Sequence, residues 1–338
     1  MKNKKLPKIS IVIVTYNNGR TIKKCVQAIK FQDYPKEKIE YLNIDGGSTD
    51  NTEKILKNHS FKIIKSPIPH NAEAQRAIGL MYAKNNLIVS LDADNYIPHK
   101  NWLKQMVEPF MSEKKIIHAG TIYFTYTETD NIFNRYVALF GVLDPVVFYI
   151  GKPDRLPYFK KKWAVGTILK ETQRYYIVKF THETLPTVGC NGVVYRKDLL
   201  LAHAQSDPSK FLHMDVFVDL LDKKYDTYAI VKNSISHDTA VNLRTLMKKR
   251  MAFLLSYYFK SKNSRMERRY YIYNPKKLSD TIKLILFILY TITLVKPFMD
   301  SLRGYIVIRD RAWFLHPIVC WVYLLAYSFA TLKKILHI

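Results

Sequence analysis

Leu87-Ile88-Val89-Ser90-Leu91-Asp92-Ala93-Asp94 is the stretch on which the reading of this chain turns. An apolar segment of strand length ends in two carboxylates one residue apart. Alternate side chains of a strand point the same way, so Asp92 and Asp94 are expected to converge just past the strand's end. Neighbouring carboxylates repel each other. A hard divalent cation, Mg²⁺ or Mn²⁺, offsets that cost, and Mg²⁺ is often shared with substrate phosphates. The pair therefore predicts chemistry on a nucleoside diphosphate. An acidic strand end also serves as a plain turn or helix cap, so the surrounding pattern decides.

That pattern is an alternation of short apolar runs and amphipathic stretches. Ile9 to Val14 reads as a buried strand, Arg20 to Phe31 as a helix and Ile39 to Ile44 as the next strand. A Gly-Gly-Ser-Thr-Asp turn leads to a helix from about Asn51 to Lys57. Phe61 to Ile64 is a short strand, Glu73 to Ala83 a helix, and Leu87 to Leu91 the fourth strand. The order predicts an α/β fold, a Rossmann-like and mostly parallel sheet with flanking helices. Ligands of such sheets bind at the carboxyl ends of the strands. Thr15-Tyr16-Asn17, Asp45 and Asp92 to Asp94 all follow strands and are expected along one edge. There Tyr16 and Thr15 suit stacking on and hydrogen bonding to a nucleobase. Asp45 suits accepting from a base N–H or a ribose hydroxyl, and Gly46-Gly47 suits a tight turn.

The chain has 338 residues, 48% of them hydrophobic, enough for one large domain or two small ones. Its 53 Lys and Arg against 28 Asp and Glu give a formal charge of +25, which favours an anionic partner. Cys25, Cys190 and Cys320 are scattered and odd in number, with no disulfide or zinc spacing, as expected in a reducing compartment. The apolar run Ile9 to Val14 is too short for a signal-peptide core, so the N-terminal part is expected in the cytoplasm. There is no G-x-G-x-x-G turn after the first strand and no G-K-[ST] phosphate loop, which argues against a dinucleotide oxidoreductase. The basic residues gather beside apolar helices without a nucleic-acid motif, so nucleic acid is not the expected partner.

The ordered motifs resemble family-two glycosyltransferases. Val14-Thr15-Tyr16-Asn17 and Ile44-Asp45-Gly46-Gly47-Ser48-Thr49-Asp50 are similar to the family's opening. Ala74-Gln75-Arg76-Ala77 stands where the family has Ala-x-Arg-Asn, with Ala77 in place of the Asn. Asp92-Ala93-Asp94 matches the metal motif, and Thr187 to Gly192 the acceptor-side segment. His213-Met214-Asp215 takes the place of x-Glu-Asp, with Met214 for the usual Glu, and Ile235-Ser236-His237 follows. The resemblance covers roughly residues 9 to 255. It implies the glycosyltransferase A-type fold, a UDP- or GDP-sugar donor, and Mg²⁺ or Mn²⁺ as cofactor. It makes Thr15, Tyr16, Asn17, Asp45, Arg76, Asp92 and Ala93 nucleotide contacts. Asp94, Asp92 and His237 become the metal site, and Gly189 and Asn191 acceptor contacts.

A sugar hydroxyl is a poor nucleophile, and a carboxylate can take its proton as attack proceeds. Asp215 is the expected general base by position, ahead of Asp219 and Asp222, giving single displacement with inversion. If the acceptor is instead a polyprenyl phosphate, no base is needed. A non-catalytic membrane adaptor of the same fold is the reading from another class. The expected divisions are 1–115 for the nucleotide-sugar half, 116–240 for the acceptor half and 241–338 for membrane association. Ile132 to Ile150 is apolar enough for a membrane-touching acceptor helix or a core helix. Arg244 to Lys277 carries eleven Lys or Arg and one acid. Met247, Met251, Leu254, Leu255 and Tyr258 form an apolar stripe there, and Arg244 and Lys248 are expected to bind phosphate or an anionic membrane surface. Ile282 to Val295 is too short to span a bilayer. Ala312 to Thr331 is long enough but is interrupted at His316-Pro317. Trp313, Trp321, Tyr323 and Tyr327 suit an interfacial position. Helices in the interface are expected, at the cytoplasmic face of the membrane, with a spanning hairpin as the rival. The acceptor is then expected to be lipid-linked or a membrane-proximal glycan.

Overall fold

A computed structural model describes residues 6–239, 242–253, 269–270 and 272–336. The chain divides into two compact units, one of Met1–Thr125 with Ala164–Asp238, the other of Tyr126–Trp163 with Thr239–Ile338. These divisions differ from those expected at 115 and 240. Residues 126–163, placed by sequence in an acceptor half, belong instead with the C-terminal helices.

The first unit is built on one sheet. Its strands include β1 (Ile9–Thr15), β2 (Ile39–Asp45), β3 (Lys62–Lys65), β4 (Leu87–Asp92), the two-residue β5 (Asn95–Tyr96) and β6 (His118–Phe124). After them come β7 (Thr167–Glu171), β8 (Tyr175–Lys179), β9 (Val193–Arg196) and β10 (Thr227–His237). The order is β3-β2-β1-β4-β9-β6-β10-β8-β7, with β5 pairing the end of β10. All strands of that order except β9 and β8 run in one direction. β1 lies between two parallel neighbours and every residue of it is buried, which is why Ile9-Ser10-Ile11-Val12-Ile13-Val14 reads as a β-branched run broken only by the small Ser10. Helices α1 (Ile22–Lys30), α2 (Thr52–Asn58) and α3 (Ala72–Tyr82) connect the first strands. α4 (Trp102–Ser112), α7 (Lys197–Ser206) and α8 (His213–Asp222) follow in the same unit. α3 packs close on the sheet because Gly79 allows it: a Cβ there would stand 2.5 Å from Val12 Cγ1.

The second unit is helical. The apolar stretch 132–150 is broken into α5 (Ile132–Phe140) and α6 (Pro145–Ile150), separated where Gly141 takes φ 70° and Asp144 caps the next helix through the Val146 N–H. The C-terminal part holds α9 (Leu243–Phe253), α10 (Leu278–Thr293), α11 (Val295–Val307) and α12 (His316–Ile335). α11 was not expected; it turns 80° from α10 at Leu294. Pro317 does not interrupt the last apolar stretch. It occupies the first turn of α12, where its missing N–H costs nothing. Two of the four aromatics expected at an interface are interior. Trp313 is fully buried against Gly304 and donates to the Ile308 carbonyl at 3.0 Å, and the Tyr323 hydroxyl donates to Leu143 O at 2.6 Å. His316 is stacked on Phe140 and lies between the hydroxyls of Tyr136 and Tyr149, at 3.0 and 2.9 Å. By length and composition, 132–150 and 311–333 each suffice to cross a membrane. Of the expected basic stripe, Leu254, Leu255 and Tyr258 lie outside the described residues.

Candidate active site

The strand register brings the early motifs to one edge. Thr15 stands opposite Asp45 between β1 and β2, and Val14 opposite Asp92 between β1 and β4. Gln75, which sequence reasoning passed over, clamps two of these ends: its amide donates to Thr15 O at 2.8 Å and to Ile44 O at 2.7 Å. Asn71 starts α3 by accepting from the Glu73 and Ala74 N–H groups, so Glu73, Gln75 and Arg76 follow in the first turns.

Asp45 is fully buried and already busy. Its oxygens accept from the Thr15 and Ser48 hydroxyls and the Gly47 and Ser48 N–H groups, and Lys65 lies 3.4 Å away. Burial alone would raise its carboxyl, but these donors outweigh it and hold it below the usual value. Asp45 therefore shapes the Gly-Gly-Ser turn, and any nucleobase would share oxygens that accept several bonds already. Asn17, with φ 51°, likewise ties loops together. Its side-chain oxygen accepts from Thr49 N at 2.8 Å, and its own N–H donates to Ser48 Oγ at 2.9 Å. Tyr16 is exposed, 40% accessible, and meets His70 edge-on at 3.9 Å between ring centroids. His70 had no sequence signal; the long 65–71 connection carries it to the Gly46 carbonyl, to which its N–H donates at 3.3 Å.

Asp92 and Asp94 part company. Arg76, buried in α3, sets Nη2 2.5 Å from Asp92 Oδ1 and Nη1 2.8 Å from Glu73 Oε1. The repulsion that sequence reasoning assigned to a divalent cation is thus met at Asp92 by a guanidinium. Arg76, expected as a nucleotide contact, and Asp92, expected beside ribose or metal, are thus paired with each other here. Ala93 is buried between the two acids. Asp94 is carried the other way. β5 pairs with β10 so that Asn95 faces His237, which leaves His237 Nε2 3.5 Å from Asp94 Oδ1. A carboxylate suits Mg²⁺ or Mn²⁺, and an imidazole suits the softer of the two, Mn²⁺, so this pair fits a divalent ion. Among the described residues, no three of His, Cys, Asp and Glu form a cage. An ion here would take its other ligands from substrate or water.

Asp215 lies in the first turn of α8 and is buried. A helix N-terminus favours a carboxylate there. Asp219 faces His203 at 3.5 Å and Asp222 faces His182 at 2.9 Å. The start of α8 is anchored by Glu73, whose Oε2 accepts from the backbone N–H of His213 at 3.1 Å and from its Nδ1 at 2.7 Å. Gly189 and Asn191 lie half-buried in the loop before β9, where Gly192 takes φ 67°. Arg244 and Lys248 are exposed, four apart on α9 of the second unit.

A parallel α/β sheet with polar strand ends, an exposed aromatic pair and a carboxylate–imidazole pair defines a nucleotide-handling transferase class. Residues 10–183, just over half of the chain, match the family described as Glycosyl transferase family 2. The chain belongs to that family. It is 31% identical over 136 residues to glycosyltransferase AglE of Haloferax volcanii, covering 39% of this chain and 44% of that protein. It is 34% identical over 113 residues to a dolichyl N-acetyl-alpha-D-glucosaminyl phosphate 3-beta-D-2,3-diacetamido-2,3-dideoxy-beta-D-glucuronosyltransferase of Methanococcus voltae, covering 32% and 35%. The matches thus span less than half the length of these curated relatives. A solved mannosyltransferase of Pyrobaculum calidifontis, in complex with GDP-Man and Mn²⁺, aligns with TM-score 0.51 at 14% identity over 97% of this chain and 87% of that one. That likeness shows the glycosyltransferase A-type fold.

Burial pushes the Glu73 carboxyl up, but the charges of His213 and Arg76 outweigh it and bring it down to about 2. A depressed carboxyl contributes stability above its unfolded value, near 4.5, and loses it as pH falls toward the folded value. The contribution is about 3 kcal/mol. The denaturation midpoint should therefore drop between about pH 5 and 2. Glu73→Gln should be less stable at neutral pH and show a flatter acid profile; an unchanged profile would contradict the pairing.

Proposed function

We propose that this protein transfers a sugar from a nucleoside diphosphate to an acceptor hydroxyl by a single displacement with inversion. The observation that carries the reading is the edge where Thr15 stands opposite Asp45 and Val14 opposite Asp92, with Asp94 beside His237. Tyr16 and His70 offer the base an aromatic edge. Thr15 and Asp45, fixed by Gln75 and the Gly-Gly-Ser turn, form the floor. Asp94 and His237 would hold the ion, with Asp92 paired to Arg76 beside them. Mg²⁺ or Mn²⁺ bound there supplies Lewis-acid stabilisation of the departing diphosphate. Asp215 takes the proton of the attacking hydroxyl. The donor is a UDP- or GDP-sugar; the Mn²⁺ and GDP-Man of the Pyrobaculum structure support this choice.

The second unit supports a membrane-proximal acceptor. α12 buries Val319, Tyr323, Ala326 and Ala330 on one face yet exposes Ile318, Leu325, Phe329 and Leu332 on the other. α10 and α11 likewise expose Ile285, Leu289, Ile292, Phe298 and Ile306. A helix apolar on both faces needs a partner or lipid. All three acids of 276–336, Asp280, Asp300 and Asp310, are buried, whereas Lys276, Lys283, Arg303, Arg309, Arg311 and Lys333 are exposed. Such a surface suits the anionic, cytoplasmic face of a membrane. It also keeps a polyprenyl phosphate as the second reading of the acceptor, for which no base is required.

Two outcomes are expected. With Mn²⁺ or Mg²⁺ the protein should release nucleoside diphosphate from one of the common UDP- or GDP-sugars, and Asp215→Asn should lower transfer by about 10²–10⁴-fold while still binding nucleotide. Near-normal transfer by the folded variant would leave only the phosphate acceptor, and no release from any donor would favour an adaptor. The full chain should also sediment with vesicles containing phosphatidylserine and less with neutral ones, the difference shrinking at high salt. Equal binding to both would sink the electrostatic part of the membrane reading.

A further inference from the structure

His213 stands at a junction that neither the transfer reaction nor the family motifs assign. Its Nδ1 lies 2.7 Å from Glu73 Oε2, and its Nε2 lies 2.9 Å from the carbonyl oxygen of Val188. A carboxylate and a carbonyl only accept hydrogen bonds. Both ring nitrogens must therefore carry hydrogen, which makes the ring an imidazolium. The same Glu73 oxygen accepts the His213 backbone N–H, one of the donors that a helix start leaves unsatisfied. α8 has no side-chain cap of its own at Leu212, so Glu73 of α3 does that work from outside. The remaining Glu73 oxygen holds Arg76, and Arg76 holds Asp92.

The result is a line of alternating charge, Asp92, Arg76, Glu73, His213, whose two middle members are buried and whose ends are half-buried. It ends on Val188, in the loop that carries Gly189 and Asn191. Two residues beyond His213 is Asp215. One ring thus touches the α3 network, the 187–192 loop and the first turn of α8. We propose that His213 is a doubly protonated positioning residue that fixes the acceptor-side loop and the Asp215 turn against the Asp92 end of β4. It is not a catalytic residue, since its hydrogen-bonding capacity is spent on protein groups. The groups that face the ring are Glu73 from α3 and Cys190 from the loop, with Asp215 further along its own helix. Burial works against the ring's charge, but these neighbours outweigh it and hold the imidazole well above its ordinary value. A raised histidine contributes stability that is complete below about pH 6.5 and is lost only as pH rises through the folded value. The junction should therefore survive neutral and mildly alkaline pH.

The proposal rests on the proposed function only in taking Asp215 as the base. The experiment separates the two. In the full chain labelled with ¹⁵N-histidine, the resonances lost in His213→Gln identify its ring. At about pH 8.5, both of its nitrogens should still show protonated shifts in the wild type, and Glu73→Gln should return the ring to a neutral form. A neutral ring in the wild type, or no effect of Glu73→Gln, overturns the proposal without reference to activity. In parallel, His213→Gln should bind Mn²⁺–UDP or Mn²⁺–GDP within about twofold of wild type while kcat for donor turnover falls by about 10²-fold. Unchanged kcat, or loss of nucleotide binding instead, would contradict a positioning role on the acceptor side. If His213→Gln loses turnover and Asp215→Asn does not, the junction stands and the base assignment fails.

Discussion

The contact on which the site depends is the one between Arg76 and Asp92. Asp92 ends a buried strand beside a second carboxylate, and burial and the Asp94 charge both push its carboxyl up against the pull of Arg76 and His237. A nearby cation offsets that push. Arg76 supplies that cation from α3 and is itself balanced by Glu73, which is balanced by His213. Removing one member leaves an unpaired charge in the interior, which costs several kcal/mol, typically about 3–5. The network therefore specifies more than it stabilises: it sets where α3, β4 and α8 stand relative to one another.

The short β5–β10 pairing sets Asp94 beside His237. The two acids of one motif thus acquire different partners, a guanidinium and an imidazole, although they are two residues apart. A rigid Asp92 and an Asp94 beside His237 give a site in which one carboxylate is fixed by protein and the other is left beside a ligand-type imidazole. That division is consistent with a diphosphate completing the coordination of a divalent ion.

Much of this was legible in the sequence, and the limits have physical causes. β1, β2, β3, β4 and α1 to α3 fall within about two residues of their expected bounds, because buried parallel strands read as continuous apolar runs and their helices as amphipathic ones. The shared edge of Thr15, Asp45 and Asp92 followed from the same alternation. The antiparallel β9 between β4 and β6 was not legible, since four residues carry no usable period. Nor was β5, a pair of residues held only by β10. Gln75, His70, Glu73 and His213 were missed as site residues because the partners that place them lie 24 to 140 positions away. One signal was present for Glu73, an acid next to an Asn cap and three before Arg76. In the second unit, hydropathy marked the apolar stretches but did not tell an inner aromatic such as Trp313 from an outer one.

The central claim is that this strand edge binds a nucleoside diphosphate through a divalent ion held by Asp94 and His237. Calorimetric titration of the full chain with UDP and with GDP, with and without Mn²⁺, tests it most directly. The account predicts that one of the two binds only when Mn²⁺ is present, and that Asp94→Asn abolishes this binding while the protein stays folded. Metal-independent binding of equal strength in the wild type and the variant would contradict it.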